Sequence, residues 1–155
     1  VLLNLNRKSK YVSDIESEAQ TYIKTTNDQN IINCLKIIEN STYDATTRVN
    51  AMKKLLLLYS DNHYMLIYIA NKTTWDATTC VSAMKKLLDL TNDRIMIDYI
   101  ANKATWDATT RVNAMKKLLR LSSERDVIEY IANNSAWDAT TRVNAQKKLL
   151  SITHS

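Results

Sequence analysis

The sequence predicts an all-α fold of stacked helix pairs, and three observations carry that expectation. A fourteen-residue phrase, WDATTRVNAMKKLL at 106–119, is said four times, starting at Tyr43, Trp75, Trp106 and Trp137 with spacings of 32, 31 and 31 residues. Self-similarity at a fixed period of about 20–50 residues marks a repeat array whose members bury their apolar faces against their neighbours. Glycine and proline are both absent from the 155 residues, where about eleven and eight would be usual. A chain without either turn residue makes helices joined by short connections of Asn, Asp, Ser and Thr. Apolar side chains also recur at helical i, i+3, i+4 spacing through most of the chain.

Residues 1–28 are the least regular stretch and form a degenerate N-terminal cap. Asp14, Ile15, Ala19 and Tyr22 can be laid on Asp44, Ala45, Val49 and Met52, with Glu18 where the later copies carry Arg48. Terminal repeats diverge because one face meets solvent. Thr25–Asp28 reads as a break. Four repeats follow, at 29–60, 61–91, 92–122 and 123–155, the last carrying a C-terminal cap. The whole is expected to be one domain.

Each repeat opens with a short helix. In 29–40 the stripe is Ile31, Cys34, Ile37 and Ile38; its counterparts hold Leu66, Ile69 and Ala70, then Ile97, Ile100 and Ala101, then Ile128, Ile131 and Ala132. Tyr68, Tyr99 and Tyr130 keep the same period and either cover the seam between repeats or form a recognition surface. The short helices end near Asn71, Asn102 and Asn133, and Asn is the usual substitute for Gly where a helix stops in the left-handed conformation. Ser41, Thr73 and Ser135 stand three residues before Asp44, Asp76 and Asp138, a capping-box spacing. The long helix is then expected to start at the Trp-Asp pair, where Asp suits the positive end of the helix dipole.

At about 100° per residue, Ala108, Val112, Met115 and Leu119 fall on one stripe of the long helix and Ala114, Leu118 and Leu121 on a second. Such a helix must be packed on two sides, so Val49, Val81, Val112 and Val143 should all be covered. A four-helix bundle would more often match its helices in length. The Trp residues read as packing anchors between repeats. Arg48, Arg111 and Arg142 lie between the two stripes, where a charge must find a partner. Asp44, Asp76, Asp107 and Asp138 are the expected partners, in an Asp–Arg ladder along the stack with a gap where Cys80 replaces Arg. This Asp and Arg are structural rather than catalytic.

The pattern Asp-x-x-x-Arg-x-x-Ala-x-x-x-Leu-x-x-Leu, as in Asp107, Arg111, Ala114, Leu118 and Leu121, resembles the second helix of a HEAT repeat, in the 31-residue variety similar to the phycobilisome-lyase repeats. The likeness covers about residues 29–155. Cys80 and Gln146 depart from it, as does the missing glycine after the long helix. The resemblance implies a right-handed alpha-solenoid with the long helices lining a concave surface, in a class made up mostly of scaffolds and binding modules. Some relatives are enzymes: alkylpurine DNA glycosylases are built from HEAT-like repeats, and deoxyhypusine hydroxylase binds iron through His-Glu pairs. His63 and His154 form no such pair here, which argues against the metal enzyme.

Other chemistry finds little support. A glycine-free chain has no phosphate-cradling glycine loop. Two His and two Cys do not supply a four-ligand zinc site, no nucleophile-base grouping clusters, and no cofactor, metal or catalytic residue is expected. No run of about twenty apolar residues could cross a membrane. Cys34 and Cys80 make no disulfide framework, so the expected setting is reducing and intracellular, in the cytoplasm. Val1 is not an initiator Met, and the chain reads as an excised fragment; Gln146 and the polar ending Thr153–Ser155 suggest that the stack closes there.

The polar face of the long helices has the most functional content. Asn50 and Lys53, Ser82 and Lys85, Asn113 and Lys116, and Asn144 and Lys147 repeat beside Thr46, Thr78, Thr109 and Thr140, flanked by Lys54, Lys86, Lys117 and Lys148. Stacking at about 10 Å per helix would align them in parallel rows. With a formal charge of +5, the expected function is a non-catalytic scaffold binding an extended or acidic protein segment on this concave ridge. Sequence-tolerant nucleic-acid binding by the lysines is the alternative, disfavoured by the lack of Arg forks and exposed aromatics. An ordinary solvated face on a segment that spaces other domains is the third reading.

Overall fold

The computed structural model of the chain describes residues 8–72 and 76–153. Every regular element among them is a helix: α1 (Lys8–Thr25), α2 (Gln29–Ile38), α3 (Ala45–Leu58), α4 (His63–Ala70), α5 (Ala77–Leu90), α6 (Arg94–Asn102), α7 (Ala108–Leu121), α8 (Arg125–Asn133) and α9 (Ala139–Thr153). After α1, short and long helices alternate at the predicted positions. The chain forms two compact halves, one of residues 9–90 and one of residues 91–155.

In the first half α2 pairs with α3 and α4 with α5, and α3 also lies against α4 and α5. The second half repeats the plan: α6 pairs with α7, α8 with α9, and α7 meets α8 and α9. Each half therefore contains two helical hairpins whose long helices meet, and the first half also holds α1. Ile31, Ile38, Met52, Leu55, Met65, Leu66, Ile69 and Leu87 are fully buried in the first; Ile97, Ile100, Ala114, Leu118, Ile128, Ile131 and Ala145 are fully buried in the second. Burying one large aliphatic side chain contributes about 1.5–3 kcal/mol, so these stripes hold the hairpins closed.

Polar side chains make the turns that glycine usually makes. Thr26 Oγ1 accepts the Asp28 N–H, and Asp28 caps α2 through the Asn30 N–H; Thr91 Oγ1 accepts the Asp93 N–H, and Asp93 caps α6 through the Ile95 N–H. Asn62 caps α4 by accepting from Tyr64 and Met65. Ser122 Oγ instead donates to Leu118 O at the end of α7.

Three local expectations are corrected. Among the described residues no non-glycine residue has positive φ, so the short helices do not stop in the left-handed conformation. Asn71 keeps φ −90° and ψ −1°; its Nδ2 donates to Ile67 O, as Asn102 Nδ2 donates to Asp98 O, both at 2.8 Å. The side chain satisfies a terminal carbonyl directly, which removes the need for the reversal. The long-helix caps are Asp44 and Asp107 themselves, not the residues three positions earlier. Ser41 and Ser135 are exposed, while Thr73 and Trp75 lie outside the described residues. Finally, Val49, Val81 and Val112 are half-buried, but Val143 is 46% exposed and Leu121, at the very end of α7, 40%. Val143 lies on α9, the last described helix.

Candidate functional site

The four long helices carry almost no acid. Every charged side chain on α3, α7 and α9 is basic, and α5 adds one carboxylate, Asp89. Thr, Asn and Lys of the motif stand at i, i+4 and i+7, which puts them on one face of the helix. Asn50, Lys53, Lys85, Asn113, Lys116, Asn144 and Lys147 are all exposed, with Ser82 half-buried, and Thr46, Thr78, Thr109 and Thr140 are exposed beside them. Since α3 lies against α5 and α7 against α9, Lys53 and Lys85 occupy neighbouring helices in one half, and Lys116 and Lys147 in the other.

The second lysine of each Lys-Lys pair behaves differently in the second half. Lys117 Nζ donates to Thr91 O, and Lys148 Nζ donates to Leu119 O at 2.8 Å and to Ser122 O. Both are half-buried, whereas Lys54 and Lys86 are exposed. A cation on the unsatisfied carbonyls at a helix C-terminus is favourable both as a hydrogen bond and against the dipole. Lys117 and Lys148 are thus fastened to the preceding connections and do not flank an open row.

The expected Asp–Arg ladder gives way to bonds within each repeat. Asp107 Oδ2 accepts from the Thr110 N–H and hydroxyl, both at 3.0 Å, and Asp138 accepts from Thr141 at 3.0 and 2.9 Å. Asp76 takes the same two partners from Thr79, and Asp44 accepts the Thr47 N–H at 2.7 Å. The Thr141 bonds, helped by the charges of Lys116 and Arg142, hold the Asp138 carboxyl below its ordinary value. Each Arg reaches a backbone carbonyl: Arg48 Nε to Ile38 O at 2.9 Å, Arg111 Nε to Trp106 O and Arg142 Nε to Trp137 O at 3.2 Å. Among the described residues Arg111 and Arg142 form no ion pair with a motif Asp. The elbow between the two helices of a hairpin leaves carbonyls pointing at this position, and a guanidinium satisfies them without a carboxylate. Cys80 fills the same slot by donating from Sγ to Lys72 O at 3.0 Å.

A second set of side chains joins the hairpins. Tyr130 Oη donates to Asp98 Oδ1 at 2.9 Å, Asn102 Nδ2 donates to the same carboxylate oxygen at 2.9 Å, and Trp137 Nε1 donates to Asn102 Oδ1 at 3.1 Å. Asp98, Tyr99, Trp106 and Trp137 are buried, and edge-on ring pairs join Tyr99 to Trp106 and Tyr130 to Trp137. In the first half Tyr68 Oη donates to Glu39 Oε1, which also takes Lys72 Nζ at 3.1 Å. Burial opposes ionisation of Glu39, yet the bonds from Tyr68 and Lys72 outweigh it and hold the carboxyl below its ordinary value. Burial pushes the Tyr68 and Tyr130 phenols up. The period of Tyr and Trp singled these residues out in the sequence, the Tyr as seam or recognition surface and the Trp as packing anchors; Asp98 and Glu39 sit at different positions of their repeats, so periodicity did not find them.

Cys34 and Cys80 are buried, and burial pushes both thiols up. Among the described residues no group of three His, Cys, Asp or Glu could hold a metal ion, and no helix is long and apolar enough to cross a membrane. His63 is half-buried at the start of α4, and His154 lies outside the described residues. No protein-family model matches the chain, and neither the curated proteins nor the solved structures contain a significant match to it.

Proposed function

We propose that the chain is a non-catalytic, HEAT-like scaffold, a right-handed solenoid of four repeats that binds an extended, acidic protein segment along the polar faces of its long helices, in the cytoplasm. The exposed, acid-free rows Asn50 and Lys53, Ser82 and Lys85, Asn113 and Lys116, and Asn144 and Lys147 carry this reading. Lysine ammonium groups supply attraction to carboxylates, and the Asn and Ser side chains supply donors and acceptors for an extended backbone. Several weak contacts repeated along a rigid support add up.

Nucleic acid is the rival ligand for a basic surface. The arginines best suited to grip phosphate, Arg48, Arg111 and Arg142, are committed to carbonyls, and Trp106 and Trp137 are buried. Neither those guanidinium groups nor those two indoles are offered to a nucleic acid, which favours the acidic segment. Titrating the chain into a fluorescently labelled peptide of alternating Glu and Ser tests the proposal. Saturable binding is expected, weakened about ten-fold or more by Lys53→Glu with Lys85→Glu. Equal affinity in the variant, or tighter binding to an oligonucleotide of the same length, overturns it.

A further inference from the structure

The first repeat departs from the others at one point of its lysine row. Asn50, Lys53 and Leu57 stand at i, i+3 and i+7 on α3, a line about 10 Å long on one helix face. The counterparts of Leu57 in the later repeats are Asp89, Arg120 and Ser151, all polar. Leu57 is 79% exposed and Leu58 beside it 47%, although Leu55 and Leu56 of the same run are buried. On α5, which lies against α3, Leu90 holds the place of Leu58 and is exposed as well. A single exposed leucine is ordinary, but an adjacent pair set into a row of ammonium groups and amides is not.

The pair does not lie at an end of the described helices: α1 and α2 precede it, α4 and α5 follow it, and Leu57 is exposed in their presence. What borders it decides the occupant. Lys53 stands four residues before Leu57, and Lys54 three and four before the two leucines, the spacing at which side chains on a helix are neighbours. Both lysines are exposed, and every charged side chain of α3 is basic. A two-fold contact with a second copy would set these ammonium groups against their own kind. A lipid surface suits a helix with a broad apolar face, whereas here Leu55 and Leu56 are buried and exposed Asp61 and Asp89 border the same helix ends.

We infer, resting on the acidic-segment reading above, that Leu57 and Leu58 are the apolar anchor of the lysine row, and that the partner is a segment of a separate polypeptide with one large apolar side chain set among carboxylates. The carboxylates meet Lys53 and Lys54 while the apolar side chain covers Leu57. An apolar centre with charge pairs at its rim is the ordinary anatomy of a protein interface. The anchor also supplies what the lysines lack. Asn or Ser with Lys recurs on every long helix, so those contacts alone let an extended acidic chain slip from one repeat to the next. Leu57 has a polar counterpart in every other repeat, so covering it fixes which part of the segment meets which helix.

Two labelled peptides titrated into the full chain provide the test: one of alternating Glu and Ser, and the same peptide with Leu in place of its central Ser. The Leu-bearing peptide should bind about five-fold or more tighter. Leu57→Ser, at a side chain already 79% exposed, should keep the parent's urea midpoint. It should erase the gain and leave the affinity for the Glu-Ser peptide unchanged. Equal affinity of the two peptides, or a gain that survives Leu57→Ser, overturns the anchor, while the acidic-segment reading stands on binding of the Glu-Ser peptide. Binding of neither peptide overturns both. Equal binding of a Leu-bearing peptide with Lys for every Glu, tighter binding to phosphatidylserine vesicles, or self-association in sedimentation that Leu57→Ser abolishes gives the leucines another occupant and overturns the anchor too.

Discussion

Thr110 is 1% exposed, and its hydroxyl lies 3.0 Å from the Asp107 carboxylate that caps the same helix. Its counterparts Thr79 and Thr141 are equally buried against Asp76 and Asp138. In these three repeats the second Thr of the pair is therefore a structural residue and the first a surface one, whereas Thr47 of the first repeat is exposed; the bare repeat of letters did not reveal this division. Asp107→Ala removes an N-cap and leaves a buried hydroxyl without its acceptor. The loss should be about 1–2 kcal/mol in urea unfolding, against less than about 0.5 kcal/mol for Thr109→Ala on the open face. Equal effects of the two would contradict the cap assignment. Glu39 gives a second test at this scale. Its ordinary value is 4.5 and folding lowers it, so below 4.5 the unfolded chain takes up a proton that the folded chain refuses. Its contribution is complete at neutral pH and is lost as pH falls through the folded value. Glu39→Gln should lower Tm at pH 7, and the gap from the parent should close in acid; a gap that stays constant from about pH 7 to 3 would show that the carboxylate is not coupled to folding.

Adjacent lysines on one helix have different jobs. Lys148 closes the C-terminal carbonyls of α7 and its connection, whereas Lys147, one residue away, faces solvent. Lys148→Met should destabilise by about 0.5–1.5 kcal/mol; Lys147→Met should stay within about 0.5 kcal/mol and act on ligand binding instead. Urea unfolding of both variants separates the roles, and a larger loss from Lys147 would reverse them. Helix positions and lengths were legible because the apolar stripes and the fourteen-residue phrase fix both. Helix ends were less so. Asn71 and Asn102 end their helices by bonding back to the i−4 carbonyl, a choice that depends on a side-chain rotamer and has no signature in spacing. The arginines misled for a related reason: a charge between two apolar stripes announces a need for a partner, but a backbone carbonyl at an elbow meets it as well as an aspartate does.

At the scale of the whole molecule the charge is sorted by helix. Outside α1, and apart from Asp89 on α5, carboxylates gather on the short helices, their caps and the elbows, where Asp98, Glu39, Glu124 and the motif Asp residues have local partners. The long helices keep the ammonium groups, and their exposed faces therefore present cations beside neutral amides and hydroxyls. This sorting was readable in the sequence, because it follows from which motif letters share a helix face. The seam of Tyr, Trp, Asn and Asp was only half readable, since its carboxylates do not keep the period. Two parts of the proposed ligand interaction should respond differently to salt. The lysine part is screened as ionic strength rises, the Debye length shortening from about 30 Å at 0.01 M to about 10 Å at 0.1 M. The amide part is not. Lys116→Gln with Lys147→Gln should therefore weaken binding of the Glu-Ser peptide at low salt and make little difference at about 0.5 M. Asn113→Ala with Asn144→Ala should weaken it by a similar factor at every ionic strength. If the asparagine variant shares the salt dependence of the lysine variant, the amides take no direct part and the face acts on its ligand by charge alone.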